Sequence, residues 1–222
     1  MESYYAKVIK TCHDHGALAT GGMAAAIYDT KAVVSVLDGK FREIAKGVDG
    51  FLVYDLKFLP DLNDLLTNSK IIGSSSEFKN ETKIDDIELL NIPNGKVTRQ
   101  GLEKNIKVGI MFIASWLSGQ GTFILDGNVE DSATAEISRF QVWQWIHHSQ
   151  HLDQETEKNR QIVDLALVHS MAEEIVKKDL EHPQKNLAYE LFMELIQTQT
   201  QFITTWLNQN PSFRQISLQS AQ

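Results

Sequence analysis

Cysteine is nearly absent from this sequence: Cys12 is the sole example in 222 residues. That excludes a disulfide framework within the chain and any metal site built from several thiolates, and it points to a reducing compartment. Basic charge is in deficit. Against 29 Asp and Glu stand 21 Lys and Arg, a formal net charge of −8. Such a chain has no electrostatic footprint for nucleic acid or for an anionic membrane surface. Long hydrophobic runs are missing too. The longest, residues 109–117, falls far short of the roughly 20 residues that span a bilayer. Met1-Glu2-Ser3-Tyr4-Tyr5 carries no basic segment followed by an apolar one, so no secretory signal is expected. The final Ser-Ala-Gln is not a Ser-Lys-Leu peroxisomal address. A cytoplasmic location is the expectation, with the peroxisome left open. What is present, 42% hydrophobic and 23% charged residues, is the composition of a folded globular chain. The length allows one ordinary domain or two small ones.

Three zones differ in texture. In residues 1–68, short apolar runs alternate with helical patterns. The small residues from Gly16 through Gly21 and Gly22 to Ala26 suit a strand end approached closely by backbone or ligand. Val33, Leu37, Phe41 and Ile44 form a helical stripe, which Gly47 and Gly50 end. Phe51-Leu52-Val53-Tyr54 has the continuous apolar pattern of a strand buried on both faces. Pro60 is placed to open a helix carrying Leu62, Leu65 and Leu66. Strand, helix, strand, helix is the rhythm of parallel α/β architecture. Residues 69–95, with Gly73-Ser74-Ser75-Ser76 and Pro93-Asn94-Gly95, predict a connector with little regular structure. Residues 96–222 predict helix nearly throughout. Leu102, Ile106, Ile110, Ile113 and Leu117 share one face, ended by Gly119 and Gly121. A second helix is expected from about Ser132 to His148. A third carries Ile162, Leu165, Val168, Ala172 and Ile175. A fourth carries Leu187, Leu191, Leu195, Phe202 and Trp206. Stripes of this kind pack as a bundle, and the Ser- and Gln-rich tail from Pro211 is expected to fray.

Four ordered blocks go beyond composition. They are Lys10-Thr11-Cys12-His13-Asp14-His15-Gly16 running on to Gly21-Gly22-Met23-Ala24-Ala25; Gly101-Leu102-Glu103-Lys104-Asn105-Ile106; Trp116-Leu117-Ser118-Gly119-Gln120-Gly121; and Glu130-Asp131-Ser132-Ala133-Thr134-Ala135-Glu136-Ile137-Ser138-Arg139 followed by Trp143-Gln144-Trp145. Together they resemble the C-terminal portion of malate synthase, from about residue 4 to residue 150. The resemblance implies the last strands of a TIM (β/α)₈ barrel in residues 1–68, then an all-α C-terminal domain in residues 96–222, mostly helical overall. It implies condensation of acetyl-CoA with glyoxylate and water to give malate and CoA, in the glyoxylate cycle. By resemblance Asp131 is the catalytic base. Claisen chemistry needs a carboxylate at the acetyl methyl group, a cation near the enolate oxygen, and in this family Mg²⁺ to polarise the aldehyde. Position alone gives Asp131 a plainer role as the N-cap of the helix after it.

A complete barrel needs about 250 residues. The family's acidic metal ligands and enolate-stabilising arginine lie upstream of the matched segment, so no metal ligand is assigned in this chain and no cofactor-binding residue is named. The chain alone is expected to be incomplete for catalysis, acting with an N-terminal half or self-associating through exposed strand edges. Where the family reads Asp-Gly-Thr-Trp and then His-Pro-Gly, this sequence has Asp49-Gly50-Phe51-Leu52, then Asp55 and Leu56. These changes support an alternative, a degenerate non-catalytic relative serving as a binding module.

Other signals carry plain readings. His147 and His151 are four apart, but Ser149 and Gln150 leave the interval without the acidic residue of a His-Glu-x-x-His zinc helix, so a solvated helix end is preferred. Cys12 with His13, Asp14 and His15 lacks an identifiable orienting partner and reads as structural. Trp116, Trp143 and Trp145 read as core. Asp38-Gly39-Lys40-Phe41-Arg42-Glu43 predicts an exposed, salt-bridged helix face.

Overall fold

A computed structural model describes residues 2–73, 86–91, 95–153, 161–198, 201–211 and 213. The chain divides into two units, Met1–Asn94 with Gly127–Val129, and Gly95–Asp126 with Glu130–Gln222. The described residues are mostly helical.

The first unit opens with a helix, α1 (Glu2–Asp14), which the sequence pattern does not predict. Its buried face is small: Ile9, with Cys12, meets Ala19 and Val48 in a minor core. Gly16, at φ +69°, turns the chain into strand β1 (Thr20–Ala24). Helix α2 (Thr30–Ala45) is capped by Asp29, whose side chain accepts from the Lys31 and Ala32 N–H groups. Strand β2 (Gly50–Val53) pairs with β1 in parallel, the relation required by a strand–helix–strand crossover. A short 3₁₀ turn, Leu56–Phe58, leads into α3 (Leu59–Gly73), so Pro60 lies in the first turn. Residues 69–73 continue α3, and a 3₁₀ turn spans Asp86–Leu90. The Ser74-Ser75-Ser76 run falls outside the described residues, as does Pro93-Asn94.

Two expectations here are corrected. β2 is not buried on both faces: Leu52 is 61% exposed and Tyr54 46%. The sheet has two strands, and among the described residues of this unit nothing covers that side. The α2 stripe also shifts. Phe41 is exposed, and the position that completes Val33, Leu37 and Ile44 is Lys40, which is buried. Positions 33, 37, 40 and 44 keep the helical spacing, and the side chain found there is charged.

The second unit holds the main core. Helix α4 (Arg99–Leu117) buries Leu102, Ile106, Ile110, Ile113 and Leu117, the predicted face. Around it lie α5 (Ser132–His147), α6 (Leu165–Lys178) and α7 (Lys185–Leu195). Gly109 lets α4 approach α7 closely, because a Cβ there would overlap the Phe192 ring. The predicted fourth helix is two. Helix α7 ends at Leu195, and α8 (Ile203–Gln209) begins after Phe202, which is its half-exposed N-cap. The tail beyond Phe213 lies outside the described residues.

Residues 122–131, within the zone expected to be nearly all helix, form a hairpin of β3 (Thr122–Leu125) and β4 (Asn128–Asp131). Asp126 and Gly127 make its turn, with φ of 50° and 76°. Two successive positive φ values are what a two-residue type I′ turn demands, and Asp-Gly is a preferred pair for it. The signal is present in the sequence. It is masked because the flanking strands are only four residues each.

Candidate functional site

Asp131 closes β4 and caps α5. Its backbone is extended, at φ −136° and ψ −168°. Oδ1 accepts from the Ala133 N–H at 2.8 Å and from the Thr134 N–H at 3.2 Å. In return Thr134 Oγ1 accepts from the Asp131 N–H at 2.9 Å and its hydroxyl donates to the Asp131 carbonyl at 3.1 Å. This reciprocal cap satisfies donors that α5 leaves unpaired. Both side-chain bonds use the same oxygen, so Oδ2 stands outside the cap. The carboxylate is thus tied to α5 through one oxygen.

Directly after Asp131, α5 carries an ionic clasp that the sequence pattern does not single out. Arg139 is 1% exposed. Its Nε and Nη2 both donate to the Glu136 carboxylate, and its other donors reach the carbonyls of Thr198 (3.3 Å) and Gln201 (2.8 Å). The spacing of three on one helix is a readable signal for the pair. Its burial is not readable, because it depends on Thr198, Gln201 and Ile203, some 60 positions on, meeting α5.

The ends of β1 and β2 in the first unit carry carboxylates, each already engaged. The Asp55 carboxylate accepts from the Tyr28 N–H at 3.0 Å and the Lys57 N–H at 3.1 Å. These two bonds, the Tyr28 one foremost, hold its acidity above that of an ordinary carboxyl. Asp29 is committed to the cap of α2. The exposed, salt-bridged face predicted around Lys40 is half right. Arg42 and Asp38 form an exposed pair, whereas Lys40 is buried against Glu43, 3.0 Å away. The hairpin tip joins this unit: the Ile27 N–H donates to the Gly127 carbonyl and the Val129 N–H to the Ala25 carbonyl, at 2.9 and 2.8 Å.

These residues do not fit Mg²⁺. A magnesium site wants several oxygen donors around one point, and among the described residues no three His, Cys, Asp or Glu side chains converge in that way. His147 stacks on Trp143 at 4.8 Å between centroids, and His151 lies in a backbone bridge with Ile162. His13 does have an acidic partner, Asp49 at 2.8 Å. That carboxylate also accepts from the Ala19 N–H, so the group ties α1 to the strands. No helix among the described residues is long and apolar enough to cross a membrane.

Residues 96–216 match the family model "Malate synthase, C-terminal". The chain belongs to the malate synthase family. Malate synthase of Myxococcus xanthus (strain DK1622) is 40% identical over 161 residues, covering 69% of this chain and 30% of the relative. Glyoxysomal malate synthase of Brassica napus is 40% identical over 166 residues, covering 69% and 29%. Malate synthase A of Escherichia coli (strain K12) is 35% identical over 190 residues, covering 80% and 34%. The chain therefore spans about a third of the length of these relatives.

Proposed function

We propose that this chain forms the C-terminal portion of a malate synthase site, with Asp131 as the base. Its carboxylate takes a proton from the methyl carbon of acetyl-CoA. The enolate carbon attacks the aldehyde carbon of glyoxylate, and water cleaves the thioester to leave malate and CoA. The observation that carries this reading is the half-engaged carboxylate. Oδ1 anchors Asp131 to α5 while Oδ2 stays outside the cap, as a positioned base requires. The cation and the metal ligands that the reaction demands come, on this reading, from a barrel portion such as the relatives carry, with the exposed strands β1 and β2 as its seat. Residues 1–68 are on this reading the last barrel strands.

The assay mixes the chain with the barrel portion of a relative, acetyl-CoA, glyoxylate and Mg²⁺. Free CoA thiol and malate are expected from wild type and neither from Asp131→Asn. No thiol release from a folded mixture overturns the proposal. The commitment of Asp55, where the family has His, to two backbone N–H groups favours a second reading, a non-catalytic relative acting as a binding module. Complex formation with the barrel portion, without thiol release, is its expected result.

A further inference from the structure

The register between β1 and β2 slips. Thr20 pairs with Gly50 and Gly21 with Phe51, but the next pair is Ala24 with Val53. β1 therefore carries one extra residue, a bulge, which bends a strand and re-aims the residues beyond it. At the bulge the Gly22 carbonyl accepts from Lys40 Nζ at 2.5 Å. The same ammonium donates to both Glu43 oxygens, at 3.1 and 3.0 Å, and lies 5.4 Å from the Phe51 ring centroid. Lys40 is 5% exposed. A buried ammonium is tolerated when its donors are matched, and here three donors meet three acceptors. Gly21 belongs to the same lock, since a Cβ there would overlap the Glu43 carboxylate. Just past the bulge, Ala24 accepts from the Tyr54 N–H, Ala25 accepts from the Val129 N–H, and Ile27 donates to Gly127. All of these residues lie in the first unit.

We propose that Lys40 and Glu43 are positioning residues: the buried pair stands in for a ladder donor at the β1 bulge, aims residues 24–27 at the hairpin tip Gly127–Val129, and so fixes the backbone two positions before Asp131. Its bearing on condensation rests on the reading of Asp131 above. The lock itself does not.

The test is residue-resolved amide hydrogen exchange on the full chain, for Lys40→Met, Glu43→Gln and Gly21→Ala. Each variant is expected to speed exchange at the Ile27 and Val129 amides about tenfold or more, while the α1 and α2 amides of the same unit keep their rates. Unchanged Ile27 and Val129 amides, or equal acceleration across the whole unit in all three variants, overturns the inference. If Lys40→Met unfolds the unit, the two milder variants decide. Asp131→Asn is the control. It is expected to abolish thiol release without altering those two amides, so that loss of the catalytic reading and loss of the positioning lock give different patterns.

Discussion

Glu136 Oε2 accepts a hydrogen bond from the Ile203 N–H at 2.9 Å, across 67 positions of sequence. The same carboxylate holds the guanidinium of Arg139, whose remaining bonds reach Thr198 and Gln201. One acid–base pair on α5 therefore binds Thr198 and Gln201 and satisfies the first N–H of α8. Besides pairing with each other, the two charged groups satisfy three backbone groups, the Thr198 and Gln201 carbonyls and the Ile203 N–H.

Arg139→Met removes the cation and leaves a largely buried carboxylate and two carbonyls short of partners. A loss of about 3 kcal/mol is expected, measured by urea unfolding followed through tryptophan fluorescence. Glu136→Gln keeps the acceptor for Ile203 and is expected to cost less. Equal stability of wild type and Arg139→Met contradicts the clasp.

Asp131 combines two roles that substitution separates. Asn caps a helix about as well as Asp, whereas Ala forfeits about 1 kcal/mol at such a position. Asp131→Asn is therefore expected to unfold with wild-type stability and Asp131→Ala at lower denaturant. Neither releases thiol in the reconstituted assay. Full activity in Asp131→Asn eliminates the base.

Gly109 sits inside α4, where Ala is intrinsically better by about 1 kcal/mol. Gly109→Ala is nonetheless expected to destabilise, because its methyl group would enter the Phe192 ring. Overpacking costs about 1–3 kcal/mol and outweighs the helical gain. Thermal unfolding decides the sign.

Asp55 sets a pH dependence in the first unit. Its folded-state pKa lies below the ordinary value of 3.8, chiefly through the Tyr28 N–H. The linkage has the sign of that direction: the contribution to stability is fully present above the ordinary carboxylate value and is lost as the pH falls through the lower, folded value. Carbon-detected NMR should show the Asp55 carboxyl titrating below 3.8. In Asp55→Ala the Tyr28 and Lys57 amides should lose protection at neutral pH, and the difference from wild type should shrink in acid.

The helical portion is legible in the sequence because its signal is local and periodic. Leu102, Ile106, Ile110, Ile113 and Leu117 recur at helical spacing, and all five are buried. Asp131 is legible twice, as a residue of the family block and as a cap ahead of a helix. The hairpin at Asp126-Gly127 escapes notice although its turn pair is distinctive, because two four-residue strands give almost no periodicity. Helix α1 escapes it because its buried face is little more than Ile9 and Cys12. The α2 stripe points to Phe41 instead of Lys40 because a hydrophobic pattern scores the side chain that ought to be buried, and here a charged one is.

By itself the sequence determined the family, the helical stripes and the capping carboxylate at position 131, since each is written in neighbouring residues or in their order. Tertiary structure alone decided that Lys40 goes inside, that Arg139 meets carbonyls some 60 positions away, and that Leu52 stays exposed. Those outcomes depend on which distant backbone groups need a partner and on which faces find a cover, and neither is a property of any short stretch of chain.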